Sequence, residues 1–321
     1  MSNIKASVII PTKNPGEIFR PVLDSVLSQL TDWPFEVVVI DSGSRDGTVE
    51  FVRSKANVKL IEIPAHEFGH GRSRNTAIAN SVGEYAAVIT HDAQPVDPHW
   101  LQHLVEIAES DTRIAGVFGK HIAYPQASVF TRRELELHFA GFKEAPIVHL
   151  DDANRYAEDV GYRQFLHFFS DNNALLRRSV WETIPYPDVD FAEDQSWAKS
   201  IIEAGYYKAY SDAGAVYHSH DYSLFERLQR SFDESYAFKR IFGYILCPDL
   251  ISMFKSVVAL SRRDVRYARS IGMLRRAPLQ VVHAVMDNVM RLLGHYLGSR
   301  GEKIPTPLRK QISRDKKLLA Q

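Results

Sequence analysis

The sequence predicts an α/β fold with a mostly parallel central sheet flanked by helices, followed by a helical C-terminal extension. Across roughly the first 120 residues, short β-branched runs alternate with helix-like segments. Such alternation is typical of a parallel sheet that carries helices on both faces. From about Tyr222 onward the apolar periodicity is helical. We therefore expect two regions, residues 1–220 with the sheet and residues 221–321 with the extension.

The first region contains four strand candidates with helices between them. The strands are expected at 6–10, 35–40, 58–63 and 83–90, and the helices near 17–30, 47–55 and 71–81. The loop DSGSRDGT after the second strand is rich in turn formers. The following section, with YRQFLHFFSDNNALL, is aromatic-rich and less regular. The helical segments of the second region include LFERLQRSFDESYAFKRIFGYIL and APLQVVHAVMDNVMRLLGHYL.

Composition restricts the class of protein. Of 321 residues, 45% are hydrophobic and 24% are charged, which is ordinary for a soluble globular protein. The single cysteine, Cys247, excludes an intramolecular disulfide and favours a reducing compartment. The N-terminus lacks a signal-peptide pattern, and no uninterrupted apolar stretch of about 18 residues predicts a membrane-spanning helix. We expect a cytoplasmic protein.

The formal net charge of zero conceals an uneven distribution of charge. Residues 262–321 hold 14 Lys and Arg against 4 Asp and Glu, so the preceding residues carry the balancing acidic excess. A basic tail on an acidic body indicates an anionic surface as partner of the tail. A helical oligomerisation region with a solvated basic face is the alternative, and both can hold together.

Carboxylates follow two of the predicted strands. Asp41 comes directly after VVVI, and Asp92 follows AAVIT, beside His91 and Gln94. In open α/β sheets, ligands bind at the carboxyl ends of the strands, where a carboxylate can accept a hydrogen bond or bind a cation. Asp46 lies before Gly47-Thr48, where capping of the next helix explains it equally well.

The segment GHGRSRN, residues 69–75, predicts a helix start that faces an anion. Arg72, Arg74 and Asn75 would contact the anion, helped by the helix N-terminus. The segment does not match the dinucleotide fingerprint, which should also follow the first strand. The alternative is that one arginine is solvated while the other pairs with an acid.

Three later segments could also contribute chemistry. Glu193 and Asp194 open a predicted amphipathic helix. One of these acids could act as a general base, or both could be there only because the helix dipole favours acids at its N-terminus. His218 and His220 lie two apart on an extended segment and, with a distant aspartate, form a credible divalent-metal set. The cluster Asp171, Asn172 and Asn173 either binds sugar hydroxyls or caps a helix.

Taken in order, these segments resemble the family 2 glycosyltransferases with the Rossmann-like GT-A fold. The matching elements are SVIIPTKN, VVVIDSGSRDGT, GHGRSRN, ITHDAQP, NNALLRRSVW, FAEDQSWAKSIIEAG and VYHSH, from residue 7 to about 220. The forms THDAQP and HSHDYS look most like the bacterial rhamnosyltransferase branch. Members of that branch transfer L-rhamnose from dTDP-L-rhamnose in O-antigen or other surface-polysaccharide assembly.

The resemblance implies a role for each candidate residue. Asp194 would be the catalytic base, with Glu193 its neighbour. Asp92 would bind Mg²⁺ or Mn²⁺, helped by His218 or His220, because Gln94 replaces the second acid of the family's D-x-D motif. The residues expected around the nucleotide sugar are Thr12, Asn14, Asp41 (on the pyrimidine), Arg72, Arg74, Asn75, Asp92, Asn172 and Asn173.

The implied activity is an inverting transfer of L-rhamnose to a hydroxyl of a saccharide acceptor carried on a lipid, at the inner face of the cytoplasmic membrane. A UDP- or GDP-sugar donor, and a non-catalytic nucleotide-sugar scaffold, are the alternatives. A nucleotidyltransferase would need a glycine-rich, lysine-bearing opening that the sequence lacks. A nucleic-acid-binding protein would leave Asp41, Asp92 and Asp194 without a purpose.

Overall fold

The computed structural model describes residues 4–315, which fall into two compact units that divide between His220 and Asp221. Within residues 4–220, nine strands form one sheet in the order β3-β2-β1-β4-β8-β6-β9-β5, with β7 paired to β9. The strands are β1 Ala6–Thr12, β2 Phe35–Asp41, β3 Val58–Glu62, β4 Tyr85–Ile89, β5 Gln94–Pro95, β6 Ile114–Ile122, β7 Ile147–Val148, β8 Asn173–Arg177 and β9 Tyr207–Tyr217.

The helices of the first unit connect these strands. They are α1 Phe19–Leu27, α2 Thr48–Arg53, α3 His70–Ala79, α4 Trp100–Glu109, α5 Val129–Glu144, α6 Ala153–Glu158, α7 Val160–His167, α8 Arg178–Trp181 and α9 Glu193–Glu203. Short 3₁₀ turns occur at Gly16–Ile18 and Ala65–Glu67. The helix expected near 17–30 therefore begins as a 3₁₀ turn and ends at Leu27, whereas those expected near 47–55 and 71–81 are α2 and α3.

The sheet is covered on both faces, as the sequence predicts. Along β1, Val8 and Ile10 belong to one apolar cluster with residues of α1 and α4, while Ile9 belongs to a second cluster with residues of α3 and α9. Alternate residues of a strand point to opposite faces, so both faces of β1 are buried. Six of the nine strands in residues 4–220 run in the same direction, since β5, β7 and β8 are antiparallel to their neighbours. The mostly parallel α/β fold is confirmed.

The pairing of β4 with β8 determines which loops share an edge of the sheet. These strands are antiparallel, with Ile89 opposite Asn173. The end of β4 and the start of β8 therefore lie side by side. Thr12 and Asp41, the last residues of β1 and β2, are paired at the same carboxyl edge. Residues far apart in the chain are thus assembled at one edge.

The second unit is helical. Its elements are α10 Leu224–Phe242, α11 Leu250–Ser270, α12 Met273–Arg276, α13 Pro278–Gly298, a 3₁₀ turn at Gly301–Lys303 and α14 Thr306–Ile312. A capping box of Ser223 and Glu226 starts α10, and Gly243 in the left-handed conformation ends it. No helix within residues 4–315 combines the length and apolar character that crossing a membrane requires.

A glycine substitution tests the packing beneath the carboxyl edge. A Cβ on Gly119 in β6 would lie 2.0 Å from the Gly214 carbonyl oxygen and 2.1 Å from the Asn173 amide nitrogen. Because backbone and a buried amide cannot move aside, Gly119→Ala should lower the free energy of unfolding by about 3 kcal/mol. Urea unfolding followed by tryptophan fluorescence measures the change, since all four tryptophans lie in the first unit.

Gly141 in α5 provides the matched control. It is exposed, and a Cβ there meets nothing within 4 Å. Gly141→Ala should raise stability by roughly 0.5–1 kcal/mol because alanine favours the helix. Equal unfolding midpoints for the two variants would contradict the packing described here.

Candidate active site

Asp41 organises the loop that follows β2. Its carboxylate accepts hydrogen bonds from the backbone N–H groups of Gly43 (2.8 Å) and Ser44 (2.7 Å) and from the Thr12 hydroxyl (2.8 Å). The Asp41 side chain is completely buried, and Thr12 is nearly so. Three protein donors thus hold this carboxylate, and the expected contact of Asp41 with a pyrimidine stays a prediction.

The loop after β1 is joined to the loop after β2. Asn14 has a left-handed backbone (φ 44°), and its side-chain oxygen accepts from the Arg45 N–H at 2.7 Å. Asp46 accepts from the Gly16 N–H and from the N–H and hydroxyl of Thr48 at the start of α2. Of the two interpretations of Asp46, the structure shows helix capping. Asn14 itself is exposed at the rim of this paired loop.

A second group of side chains lies where β4 and β9 end. Asp92 faces His218 and His220, with Nε2–carboxylate distances of 3.7 Å and 3.2 Å. One potential ligand atom from each residue lies within 4.8 Å of the others. Ligand atoms bound to one ion at about 2.0–2.2 Å must lie within about 4.4 Å of each other. Small side-chain movements would therefore allow these three residues to bind one ion together. We call Asp92, His218 and His220 the carboxylate–histidine trio.

The trio is held by the surrounding fold. The strand β5 pairs with β9, placing Gln94 opposite Tyr217 immediately before the histidines. The Gln94 amide donates to the Ser25 hydroxyl at 3.0 Å, so this substitute for the second acid of the motif is engaged with α1. Although burial alone raises the pKa of Asp92, the His220 hydrogen bond and the nearby His218 lower it below its ordinary value. The carboxylate is therefore ionised at neutral pH.

Two residues beside the trio were not found from the sequence. His121 of β6 is buried, its ring centroid lies 5.2 Å from that of His218, and its Nε2 has no hydrogen-bond partner among residues 4–315. Burial lowers the pKa of His121 well below its ordinary value, so its ring is neutral. The Tyr124 hydroxyl donates to the Asp92 carbonyl at 3.1 Å. Neither residue belongs to a motif, and only the sheet order reveals their positions.

A buried charge cluster occupies the start of α9. Arg74 donates to the Glu193 carboxylate at 2.7 Å, and its Nε lies 3.2 Å from an Asp171 carboxylate oxygen. The exposed fractions of the Arg74, Glu193 and Asp171 side chains are all below a tenth. The Tyr186 hydroxyl donates to Asp171 at 2.6 Å, and the Asp171 N–H donates to the partly exposed Asp194 carboxylate at 3.3 Å.

The cluster holds three carboxyl groups near one guanidinium, so its acids cannot all ionise without cost. Burial and the charges of Glu193 and Asp171 raise the pKa of Asp194 well above its ordinary value. Burial also raises the pKa of Asp171, against the opposing effect of Arg74. A partly exposed carboxyl group with a raised pKa binds a proton more tightly than an ordinary aspartate does, which is the property a general base requires.

The polar residues of α3 that were expected to contact an anion bond mainly to other protein groups. Arg74 lies in the interior, not at an open anion site, because the carboxylates of Asp171 and Glu193 surround it. Arg72 is exposed and pairs with Asp188 at 2.7 Å. Asn75 donates to the Tyr186 carbonyl at 2.8 Å and accepts from Trp181 at 2.8 Å. The alternative interpretation has one arginine solvated and the other paired with an acid; in the structure both pair with acids, Arg72 at the surface and Arg74 in the interior.

The two asparagines before and in β8 differ in exposure. Asn173 is completely buried; its amide donates to the Gly214 carbonyl at 2.7 Å and accepts from Trp100 at 2.8 Å. These bonds join β8 to α4 and β9, and the expected position of Asn173 near the sugar stays a prediction. Asn172 is partly exposed at the carboxyl edge.

Comparison with known proteins identifies the class. Residues 7–184 match the model of the family "Glycosyl transferase family 2". The chain belongs to this family. Two similar proteins are the O-antigen chain rhamnosyltransferases RfbN of Salmonella typhimurium (30% identity, over 94% of this chain and 92% of the relative) and WbaN of Salmonella anatum (26%, over 93% and 90%). This chain is accordingly a glycosyltransferase.

Solved structures show the same fold. The mannosyltransferase PcManGT from Pyrobaculum calidifontis, in complex with GDP-Man and Mn²⁺, aligns with a TM-score of 0.60 at 18% identity, covering 94% of this chain and 88% of that one. TarS of S. aureus in complex with UDP aligns with a TM-score of 0.53 at 20% identity, covering 91% of each. The GT-A fold expected from the sequence is confirmed.

Removing the only cation of the charge cluster should destabilise the first unit. In Arg74→Gln, the buried carboxylates of Asp171 and Glu193 lose their counter-charge, and we expect a loss of about 3–5 kcal/mol at neutral pH. Protonation removes those charges, so the folded variant binds more protons than its unfolded chain, and the deficit should shrink as pH falls toward 5. Urea unfolding across pH measures both effects.

Arg72→Gln, two residues away on the same helix, is the control. Because its pair with Asp188 is exposed and screened by solvent, the loss of stability should be far smaller than in Arg74→Gln and should depend little on pH over this range. A similar small loss in both variants would show that the Arg74 cluster is not a source of stability.

Proposed function

We propose that this glycosyltransferase moves L-rhamnose from dTDP-L-rhamnose to a saccharide hydroxyl in surface-polysaccharide or O-antigen synthesis, with inversion at the anomeric carbon. The observation that carries the chemistry is the β4–β8 pairing, which brings the carboxylate–histidine trio and the Asp194 cluster to one edge of the sheet. The sugar is inferred from the two O-antigen chain rhamnosyltransferases, to which the chain is similar over nearly its whole length.

Asp194 would act as the base. As the acceptor oxygen forms its bond to C1 of the donor sugar, the bond from C1 to the diphosphate oxygen breaks, and the acceptor proton passes to the Asp194 carboxylate. The raised pKa of Asp194 strengthens its affinity for that proton. Glu193 and Arg74 lie behind it and would set its charge and position through the buried cluster. In this proposal Arg74 acts through protein carboxylates, without direct contact with phosphate.

The trio would hold the divalent cation. One carboxylate and two imidazoles form a donor set that fits Mn²⁺ better than Mg²⁺, because Mg²⁺ favours oxygen ligands and retained water. When bound, the ion neutralises charge that develops on the departing nucleoside diphosphate. Tyr124 and His121 would keep Asp92 and His218 in place.

The paired loops after β1 and β2 would form the nucleotide wall. Within them Thr12 and Asp41 shape the backbone, while Asn14 stands exposed to a ligand. Asn172, which is partly exposed at the same edge, would contact the donor sugar. Arg72 and Asn75 lie on α3, which would form part of the donor-binding side. Their bonds to Asp188 and to the Tyr186 carbonyl connect α3 to the segment before α9.

We further propose a lipid-linked acceptor, reached by peripheral association of the basic second unit with the inner face of the cytoplasmic membrane. The charge excess of residues 262–321 supports this location. Formation of a homo-oligomer through the same helices is compatible with it.

Calorimetric titration of nucleotide sugars into the full chain tests the donor. We expect selective binding of dTDP-L-rhamnose, strengthened by Mn²⁺ more than by Mg²⁺. Preference for a UDP- or GDP-sugar would keep the enzyme class and reject rhamnose. No binding of any nucleotide sugar by well-folded protein would overturn the proposal and favour a different role for the paired loops after β1 and β2.

Replacing the base should separate chemistry from binding. Asp194→Asn keeps the shape of the side chain but cannot accept the proton, so turnover should fall about 10²–10⁴-fold while the donor dissociation constant changes little. Asp32→Asn, at an exposed position of the loop between α1 and β2, is the control and should retain activity. Near-normal turnover of the Asp194 variant would reject the assignment.

Removing one side chain of the trio should weaken the binding of the metal ion. His220→Ala should bind Mn²⁺ at least about tenfold more weakly, since two protein ligands remain of three. Electron paramagnetic resonance of free and bound Mn²⁺ measures this directly and needs no substrate. His103→Ala on α4, a partly exposed histidine that also lies near a carboxylate, is the matched control. Equal Mn²⁺ affinity for both variants would place the ion elsewhere.

A further inference from the structure

We propose that the tip of the α11–α13 hairpin inserts into the surface of an anionic lipid bilayer. The tip comprises residues 269–286: the end of α11, the short α12 and the first turns of α13. This inference rests on the proposed lipid-linked acceptor and assigns the membrane contact to particular side chains.

The tip exposes apolar side chains that the unit does not bury. Leu279 is 82% exposed, the largest value among the large hydrophobic residues of the described chain, and Val282 is 58% exposed. Leu279, Val282 and Met286 are spaced by three and four residues, so they form one stripe on α13. Leu274 of α12 is also exposed. A contiguous apolar stripe on a surface indicates a partner that covers it.

The same tip is basic. Arg269, Arg275 and Arg276 are exposed, and none forms an ion pair with a carboxylate in the part of the chain that the structure describes. Between Asp264 and Asp287 the sequence contains four arginines and no acid. The positive charge is therefore not neutralised locally and is available to an anionic partner.

Apolar and cationic groups in one short segment match a bilayer with anionic headgroups, where the apolar stripe enters the acyl boundary and the guanidinium groups meet phosphate. A second copy of the chain in a symmetric tip-to-tip contact would bring like charges together. A nucleic acid would satisfy the arginines but leave Leu279 and Val282 in water. Charge and apolar surface together favour the bilayer.

Vesicle sedimentation of the full chain tests the proposal. Vesicles of mixed phosphatidylcholine and phosphatidylglycerol are compared with vesicles of phosphatidylcholine alone. The wild type should bind the mixed vesicles, more weakly at high salt, and should bind the neutral vesicles poorly. Arg275→Glu with Arg276→Glu, and separately Leu279→Ser with Val282→Ser, should each weaken binding at least about tenfold.

A second exposed apolar patch supplies the control. Ile251 and Phe254, at the start of α11, are 69% and 68% exposed and lie outside the tip. Ile251→Ser with Phe254→Ser removes a similar apolar area and should leave vesicle binding unchanged. Loss of binding in this control with none in the tip variants would overturn the assignment.

Donor binding, measured by calorimetry on the same variants, separates this inference from the proposed function. If both tip variants bind donor normally and bind vesicles as the wild type does, the proposed membrane contact of the tip is rejected, and the proposed glycosyl transfer is unaffected. A dimer that the serine variants dissociate, without any change in vesicle binding, would identify a second copy as the occupant and also overturn the proposal. Absence of donor binding in the wild type would count against the proposed function alone.

Discussion

The reversed direction of β8 is the constraint on which the candidate site depends. In a purely parallel sheet, a segment that precedes a strand lies at the amino edge, remote from ligands bound at the carboxyl edge. Because β8 is antiparallel to β4, Asp171 and Asn172 instead come to the edge where Asp92 follows β4. Asn173 then fixes this arrangement by bonding to Trp100 and to the Gly214 carbonyl. A single reversed strand thus joins two groups of charged residues.

The buried cluster behind Asp194 gives this edge its electrostatic character. Arg74 is the only guanidinium that contacts Asp171 and Glu193 within the described residues, and it is too deeply buried to exchange them for water. An arginine suits this position because it remains charged and donates in several directions at once. Its single charge cannot balance three carboxylates, and burial together with the neighbouring acids raises the pKa values of Asp194 and Asp171. Of these two, Asp194 is the partly exposed one.

The sequence predicts this fold more fully than it predicts the roles of individual polar side chains. The positions of Asp41, at the end of β2, and of Asp92, three residues after β4, follow from apolar runs that stop before a carboxylate, which is a local pattern. The burial of Arg74 does not follow from such a pattern, because its partner Glu193 is 119 residues away. Asn173 and Asp41 are residue types that often contact ligands, and their hydrogen bonds to distant parts of the chain could not be read from the sequence. His121 and Tyr124 reach the trio only through the order of strands, which a single sequence does not specify.

The replacement of the second acid by Gln94 has an electrostatic consequence for any cation held by the trio. Two carboxylates cancel the charge of a divalent ion, whereas one carboxylate with two neutral imidazoles leaves a net charge of +1. A diphosphate would then be attracted to an ion that keeps a net positive charge. A larger share of the attraction that holds the ion would therefore come from the diphosphate and a smaller share from the protein. Such a site would hold its ion weakly without donor and more firmly with it, because each charge is more favourable in the presence of the other. The donor set of the trio is therefore suited to a cation that binds together with an anionic ligand such as a diphosphate.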